Sequence, residues 1–371
     1  MDIVTTSNFH ATLLRGPVSV VFIPAEHLQR CSWPLLNFED DGCCNTTSGH
    51  ICRSVQTEIF SVVSDRDGMT LFMDPNGIKM FKDAHMDEVI TVAPTAWRAI
   101  QIHLGPMVAE FPGVVSFLSK LLADDKISIL NVSTFDTDII YVQVSFRFRV
   151  RGVRVVISDS SLLLQEHDLD AAVACLQLKL SRGVHGLKEA KDAESYRHDS
   201  VITPTPSTMA EAKDHMSITS VIDSGQFLIV YPESLVLVRL NKSSLRESAF
   251  ALTQLILLSS QDGSRDATES FWCYCETAEE VSLMLNERYL KDFPDDAVII
   301  SPDRWRAVKL GGRLYRFDET GVVAAMSGFK SETQVLNVSS YGSNVTFVLD
   351  HTVDESVATL CASLNITRVV R

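Results

Sequence analysis

Apolar positions along the chain fall into short runs of two periods. Alternation, or an unbroken Val/Ile/Leu/Phe run, predicts strands over 17–23, 58–63, 70–73, 96–104, 127–132 and 138–142. Helical spacing predicts a helix over 114–122 after a Pro-Gly start, and another over 169–180 with Asp168 placed to cap it. The second half repeats this order. Strands are expected over 227–231, 235–238, 270–275, 281–285, 305–310, 334–338 and 345–348, and helices over 245–258, from Val322, and over 353–364. Each half reads as two units of strand, helix, strand, strand, helix, strand, which is the ferredoxin-like split βαβ pattern. The expected fold class is α+β, with four ferredoxin-like units in two pseudo-symmetric halves. The units are expected at 10–94, 95–181, 221–302 and 303–371. Between the halves, 182–220 has few large apolar residues and a Thr-Pro-Thr-Pro-Ser core, so it is expected to be a flexible linker.

Verbatim repeats support the duplication. Trp97-Arg98-Ala99 returns 208 residues later as Trp305-Arg306-Ala307, and Gly113-Val114-Val115 returns at the same spacing as Gly321-Val322-Val323. Leu130-Asn131-Val132-Ser133 returns 206 residues later as Leu336-Asn337-Val338-Ser339. Like halves tend to pack about a pseudo-two-fold axis, and the seam is a natural place for a small ligand or a partner. One segment breaks the match. The first half inserts 144–165, whose Arg147, Arg149, Arg151 and Arg154 alternate with Phe and Val. That pattern predicts a strand or hairpin with one basic face. It is either an extension that recruits an acidic partner or a stretch of non-native sequence such as a retained intron.

The charge narrows the function. A formal net charge of -14 argues against a nucleic-acid binder and against docking on anionic membranes. No apolar run reaches the roughly 18 residues that span a bilayer. The start Met1-Asp2-Ile3-Val4 lacks the pattern of a signal peptide. Eight scattered cysteines fit a reduced cytosolic protein. The sequons at Asn131 and Asn337 fall in expected buried strands and read as chance matches.

No nucleotide-loop, metalloprotease, hydrolase or kinase signature occurs. Cys43, Cys44, His50 and Cys52 match no common zinc spacing and read as loop thiols, so no metal or cofactor is expected. Cys273 and Cys275 alternate along a strand and read as core. Asp318 and Glu319 have no nucleophile beside them, so the chain does not read as an enzyme. Two segments have the composition of ligand loops. Tyr315-Arg316-Phe317-Asp318-Glu319-Thr320-Gly321-Val322 enters a helix, where free N–H groups suit a carboxylate and Glu319 suits an α-ammonium. Ser339-Ser340-Tyr341-Gly342-Ser343-Asn344 is a turn between strands, with the twin Ser133-Thr134-Phe135-Asp136-Thr137-Asp138. On composition alone these also read as two plain helix entries and two hairpin turns.

The tracts ISILNVSTFDTDIIYV (127–142) and RFDETGVVAAMSG (316–328), with the flanking Trp-Arg strands, resemble the CASTOR family, cytosolic arginine sensors of the TOR complex 1 pathway. The resemblance runs patchily over most of the chain, apart from 36–55 and 144–165. It implies four ACT domains, with an amino acid held between units 2 and 4. Carried over by position, Ser128 and Ile129 would line the pocket. Arg316, Glu319, Val322 and Val323 would hold the amino-acid end, and Ser340, Tyr341, Gly342, Ser343 and Asn344 would face the side chain. Phe135, Asp136 and Asp138 would bind a GATOR-type partner, which ligand binding would release. Three features depart from the family. Asn344 stands where the family has a carboxylate facing the guanidinium, Arg316 replaces a glycine, and Phe135-Asp136 replaces Tyr-Gln. Exchanging a charge-assisted bond for a neutral one costs roughly 1–2 kcal/mol, about tenfold in affinity. The expected protein is a cytosolic negative regulator of TOR complex 1 that responds to an amino acid, arginine first. A homodimer is expected, since exposed sheets invite pairing. A ligand-independent scaffold for the same partner, or a regulatory subunit of an amino-acid-pathway enzyme, stays open beside it.

Overall fold

The structure is a computed structural model that describes residues 9–31, 58–104, 113–144, 147–150, 153–156, 167–180, 182–186, 222–223, 225–258, 270–329 and 333–371. The first half carries β1 (His10–Leu13), β2 (Ser19–Pro24), β3 (Phe60–Asp65), β4 (Gly68–Met73), α1 (Gly77–Asp83), β5 (Thr91–Val92), β6 (Trp97–His103), α2 (Val114–Asp124), β7 (Ile129–Ser133), β8 (Thr137–Gln143), β9 (Arg147–Val150), β10 (Val153–Val156), α3 (His167–Lys179) and β11 (Val184–His185). The second carries β12 (Phe227–Leu240), α4 (Ala249–Leu258), β13 (Trp272–Glu276), β14 (Val281–Asn286), β15 (Val298–Gly311), α5 (Val322–Met326), β16 (Val335–Ser340), β17 (Ser343–Leu349), α6 (Val353–Leu364) and β18 (Val369–Val370).

One sheet runs through the molecule in the order β11-β1-β6-β8-β7-β16-β17-β15-β12-β14-β13-β3-β4-β2-β5, with β18 on β12. Each unit uses the same local order, its second strand outermost, then its third, then its first. Units 2 and 4 join second strand to second strand where β7 meets β16, units 1 and 3 do so where β3 meets β13, and units 3 and 4 join first strand to first strand where β12 meets β15. At the first joint Val132 pairs with Val338. These are the same position of the repeated Leu-Asn-Val-Ser tract, so the seam lies on the pseudo-two-fold. Two reciprocal bonds close it. The Asn131 N–H donates to Ser339 Oγ at 2.9 Å, and the Asn337 N–H donates to Ser133 Oγ at 3.0 Å. The outer strands repeat as well. Val18 bridges Trp97 as Leu235 pairs with Trp305, and β11 lies parallel to β1 as β18 lies parallel to β12.

The core follows from the apolar runs. Strands covered on both faces read as continuous Val/Ile/Leu stretches because neither side meets water. Trp97 and Trp305 are fully buried, and Tyr141 stacks on Phe72 at 4.5 Å in the central cluster. Each such aromatic contributes roughly 1.5–3 kcal/mol of transfer free energy. A second cluster joins units 1 and 3, and a third lies under α5 and α6. The two glycines that open α2 and α5, Gly113 and Gly321, sit at φ 83° and 89°. A β-carbon is strained there, which explains why the repeat keeps glycine at both helix entries.

Several expectations need correction. Segments 227–231 and 235–238 are one strand with a register shift between Val230 and Ser234; Pro232, which has no N–H to donate, sits in that irregularity. β15 begins at Val298 rather than Trp305, and the helix from Val322 is only five residues long. β1, expected in unit 1, pairs antiparallel with β6 in the sheet of unit 2. The expected linker begins with strand β11; its residues 187–221 lie outside the described residues. α3 starts at His167, so Asp168 lies in its first turn rather than capping it. The insert does form a hairpin, as expected, β9 with β10, and among the described residues it pairs with no other strand. The cysteine-rich loop with Cys43, Cys44, His50 and Cys52 lies outside the described residues. Asn131 and Asn337 are buried, as expected of their strands. Cys273 and Cys275 are buried too, and burial pushes both thiols up, so they are inert.

Candidate functional site

The seam brings the two candidate loops to one place. Ser128, just before β7, donates through its hydroxyl to the Phe317 carbonyl at 2.7 Å and stands 3.0 Å from that of Glu319. Unit 2 thereby holds the loop that enters α5 in unit 4. The Tyr315 N–H donates to the Gly342 carbonyl at 2.7 Å, which ties the same loop to the β16–β17 turn. Rings continue the contact. Trp97, Phe317, Tyr341 and Phe22 follow one another at 5.6, 5.1 and 5.2 Å between centroids. The Tyr341 N–H donates to Thr70 Oγ1 at 2.9 Å, so the turn also touches unit 1. Ile129 is half-buried beside Ser128.

The polar groups of the site are engaged with each other. Arg313 grips Glu319 with both guanidinium NH2 groups, at 2.9 and 2.7 Å. The Arg316 N–H donates to Glu319 Oε1 at 2.7 Å, while the Arg316 side chain is exposed and paired with Asp318. The Arg313 hydrogen bonds hold the Glu319 carboxyl below its usual range. Arg313 also meets Asp223 at 2.8 Å and lies 4.1 Å over the Tyr315 ring, and Gln226 donates to the Tyr315 hydroxyl. Asn344 is buried and exchanges side-chain bonds with Asn337 at 2.8 and 2.7 Å. Ser343 Oγ donates to the Leu310 carbonyl, and the buried Ser340 Oγ meets no partner among the described residues. Val322 is half-buried at the helix start, and Val323 is buried.

The turn expected to meet a partner is mostly buried. Phe135 and Asp138 are buried, at 4% and 1% exposure, because the turn docks on unit 3. Glu280, from the β13–β14 turn, accepts from the hydroxyls of Thr134 and Thr137 at 2.6 and 2.9 Å and from the Asp136 N–H at 3.2 Å. Asp136 is half-buried and pairs with Arg239 at 2.9 Å. In this conformation only Asp136 offers the turn any surface.

Sequence reasoning missed Arg313, Asn337, Arg239 and Glu280. Asn337 carried a signal, as a member of the repeated tract. The other three carried none, because each comes from a neighbouring unit or from outside the loop motif. Among the described residues no group of His, Cys, Asp and Glu side chains has the arrangement of a metal site, and no helix is long and apolar enough to cross a membrane.

Residues 92–147 and 300–362, which fall mainly in units 2 and 4, match the ACT domain family. Two curated relatives are each named cytosolic arginine sensor for mTORC1 subunit 1. The one from Mus musculus is 24% identical over 305 residues, covering 81% of this chain and 82% of the relative. The one from Homo sapiens is 25% identical over 317 residues, with the same coverage. A solved aspartate kinase from Synechocystis aligns with 100% of this chain and 58% of its own, at 11% identity and a TM-score of 0.32. The chain spans little more than half of that enzyme. The chain folds as four ferredoxin-like units in two pseudo-symmetric halves, two of which carry the ACT match, and it is distantly similar to curated relatives named as cytosolic arginine sensors.

Proposed function

We infer that the protein is a cytosolic amino-acid-responsive regulator, not an enzyme. Its ligand, arginine being the first to test, binds between units 2 and 4. It holds a GATOR-type partner and restrains TOR complex 1 signalling until the ligand releases that partner. One observation carries this reading. A hydroxyl of unit 2, Ser128, bonds the helix-entry loop of unit 4, so a ligand seated on the loop acts on both halves at once. The relatives' names agree with it. Partner and ligand must weaken each other by the same factor. The homodimer belongs to the same proposal, supported by exposed Val92, Ile299, Ile300 and Phe250.

A second reading has its own observation. Glu319 is satisfied by Arg313 and Asn344 by Asn337, so the site is complete without a ligand. That favours a ligand-independent scaffold for the same partner. A thermal-shift screen of the twenty amino acids separates the two readings. A ligand at 100 times its dissociation constant adds roughly 2.7 kcal/mol. A shift with one amino acid, and loss of partner capture in its presence, supports the sensor. Capture that no amino acid alters supports the scaffold, and a co-purified biosynthetic enzyme would point instead to a regulatory subunit.

A further inference from the structure

We propose that the Arg313–Glu319 ion pair is a built-in competitor for the α-ammonium of the ligand, so that Arg313 sets the affinity of the site. This rests on the reading of the site as one for an amino acid. Of the two carboxylates in the 316–323 loop, Asp318 pairs with the exposed Arg316 side chain, whereas Glu319 accepts from the loop backbone, from the Arg316 N–H at 2.7 Å. The Ser128 hydroxyl, 3.0 Å away, touches its carbonyl. An ammonium seated between unit 2 and this loop therefore meets Glu319 first. In the structure a cation already stands there, since the Arg313 fork spans both carboxylate oxygens at 2.9 and 2.7 Å. The fork is the strongest side-chain geometry for a carboxylate, and a primary ammonium cannot copy it.

Arg313 also has somewhere to go. Its Nε stays 2.8 Å from Asp223, and the guanidinium lies over the Tyr315 ring, so it can release Glu319 without losing all charge compensation. Tyr315 is in turn fixed by its N–H bond to Gly342 in the turn expected to face the ligand side chain. Displacing Arg313 thus couples the ammonium end of the site to the side-chain end. The expected ligand class is a zwitterion with a free α-ammonium. Acids that lack the amine gain nothing when the competitor is removed.

The test uses full-length protein as wild type, Arg313→Gln, Arg313→Lys and Glu319→Gln. Each is screened by thermal shift against the twenty L-amino acids, then titrated calorimetrically with those that bind and with 5-guanidinopentanoate, which is arginine without its α-amino group. The proposal expects Arg313→Gln to bind about two- to fivefold tighter, which is what removal of a partly exposed bidentate pair is worth. Arg313→Lys should tighten less, because it keeps charge without the fork, and it stands in if Arg313→Gln does not fold. Glu319→Gln should weaken binding, and the amine-free acid should not respond to Arg313. Binding by Arg313→Gln equal to or weaker than wild type overturns the competitor while leaving the site intact. Stabilisation of none of the four proteins by any amino acid overturns the site and the competitor together.

Discussion

Replacing Asp138 with asparagine should stabilise the protein, and increasingly so as the pH rises. The register makes Asp138 the twin of Asn344, since Ser133 pairs with Asp138 as Ser339 pairs with Asn344. In the second half the two amides of Asn337 and Asn344 exchange bonds. In the first half the twin of Asn337 is Asn131, and a carboxylate replaces its partner. Apart from the Ser133 hydroxyl beside Asp138, no donor among the described residues meets either Asp138 oxygen, and none meets Asn131 Oδ1. Burial pushes the Asp138 carboxyl up to about 7, with the Glu280 carboxylate adding to the rise and Ser133 opposing it. The folded protein therefore binds this proton more tightly than the unfolded chain, so stability is lost as pH rises from about 4 toward 7. A rise of about three units corresponds to a loss on the order of 4 kcal/mol above neutral pH. Asparagine does not ionise, and its amide can donate to Asn131 Oδ1. Calorimetry from pH 5 to 8.5 should show Asp138→Asn melting above wild type at pH 8 by roughly 5 °C or more, with the gap closing toward pH 5. Glu280, also raised by burial, is present in both proteins, and removing the Asp138 charge relieves its repulsion of Glu280, which widens the gap in the same direction. A gap that does not change with pH would refute the argument.

Three other outcomes follow from contacts across the units. Lys309, at 3% exposure, bonds Asp65 at 2.6 Å and Asp67 at 2.5 Å across the joint of units 4 and 1. Lys309→Met should cost about 3–5 kcal/mol in urea unfolding, because it strands the buried Asp65. Ser128→Ala leaves the Phe317 carbonyl without its donor, so stability should fall by about 1–2 kcal/mol and amides of 316–323 should exchange faster with deuterium. His103 stacks on His10 at 4.3 Å, stands 3.6 Å from Glu279 of unit 3, and lies in a cluster that includes His185. Burial lowers its pKa, with His10 and His185 opposing the charge and Glu279 favouring it, so stability should fall as pH drops below about 6.5. His103→Gln should flatten that limb of the pH–melting curve.

The fold was legible because the chain spells it twice. Short apolar runs of the right length and order define four units, and the repeated Leu-Asn-Val-Ser tract marks the strand that meets its own copy at Val132 and Val338. What was not legible is what pairing partners decide. Nothing in 10–13 says that β1 joins unit 2 rather than unit 1, because a four-residue apolar strand fits either edge. The continuity of β12 through Pro232 depends on a bulge that only the neighbouring β15 can support. At the site, the loops were visible from composition, while their charge balance was not. Arg313 lies outside the loop motif, and Glu280 reaches the partner turn from another unit.

Divergence between the halves gives the proposed switch its physical route. Strand β7 leads into the turn at Phe135, and strand β16 leads into the turn at Tyr341 and Gly342. The two strands are bonded to each other by Asn131, Ser133, Asn337 and Ser339. A ligand that shifts β16 must strain those reciprocal bonds or carry β7 with it, since a packed interior does not absorb the movement gradually. The first-half turn would then slide against Glu280, which holds it through three bonds. Glu280→Gln weakens that hold without touching the ligand loop. In the proposed mechanism it should raise partner capture and leave amino-acid affinity in the isolated protein nearly unchanged, as read by paired pull-down and calorimetry. If capture stays at the wild-type level while the turn amides exchange faster, the turn is a structural contact of unit 3 and the partner binds elsewhere.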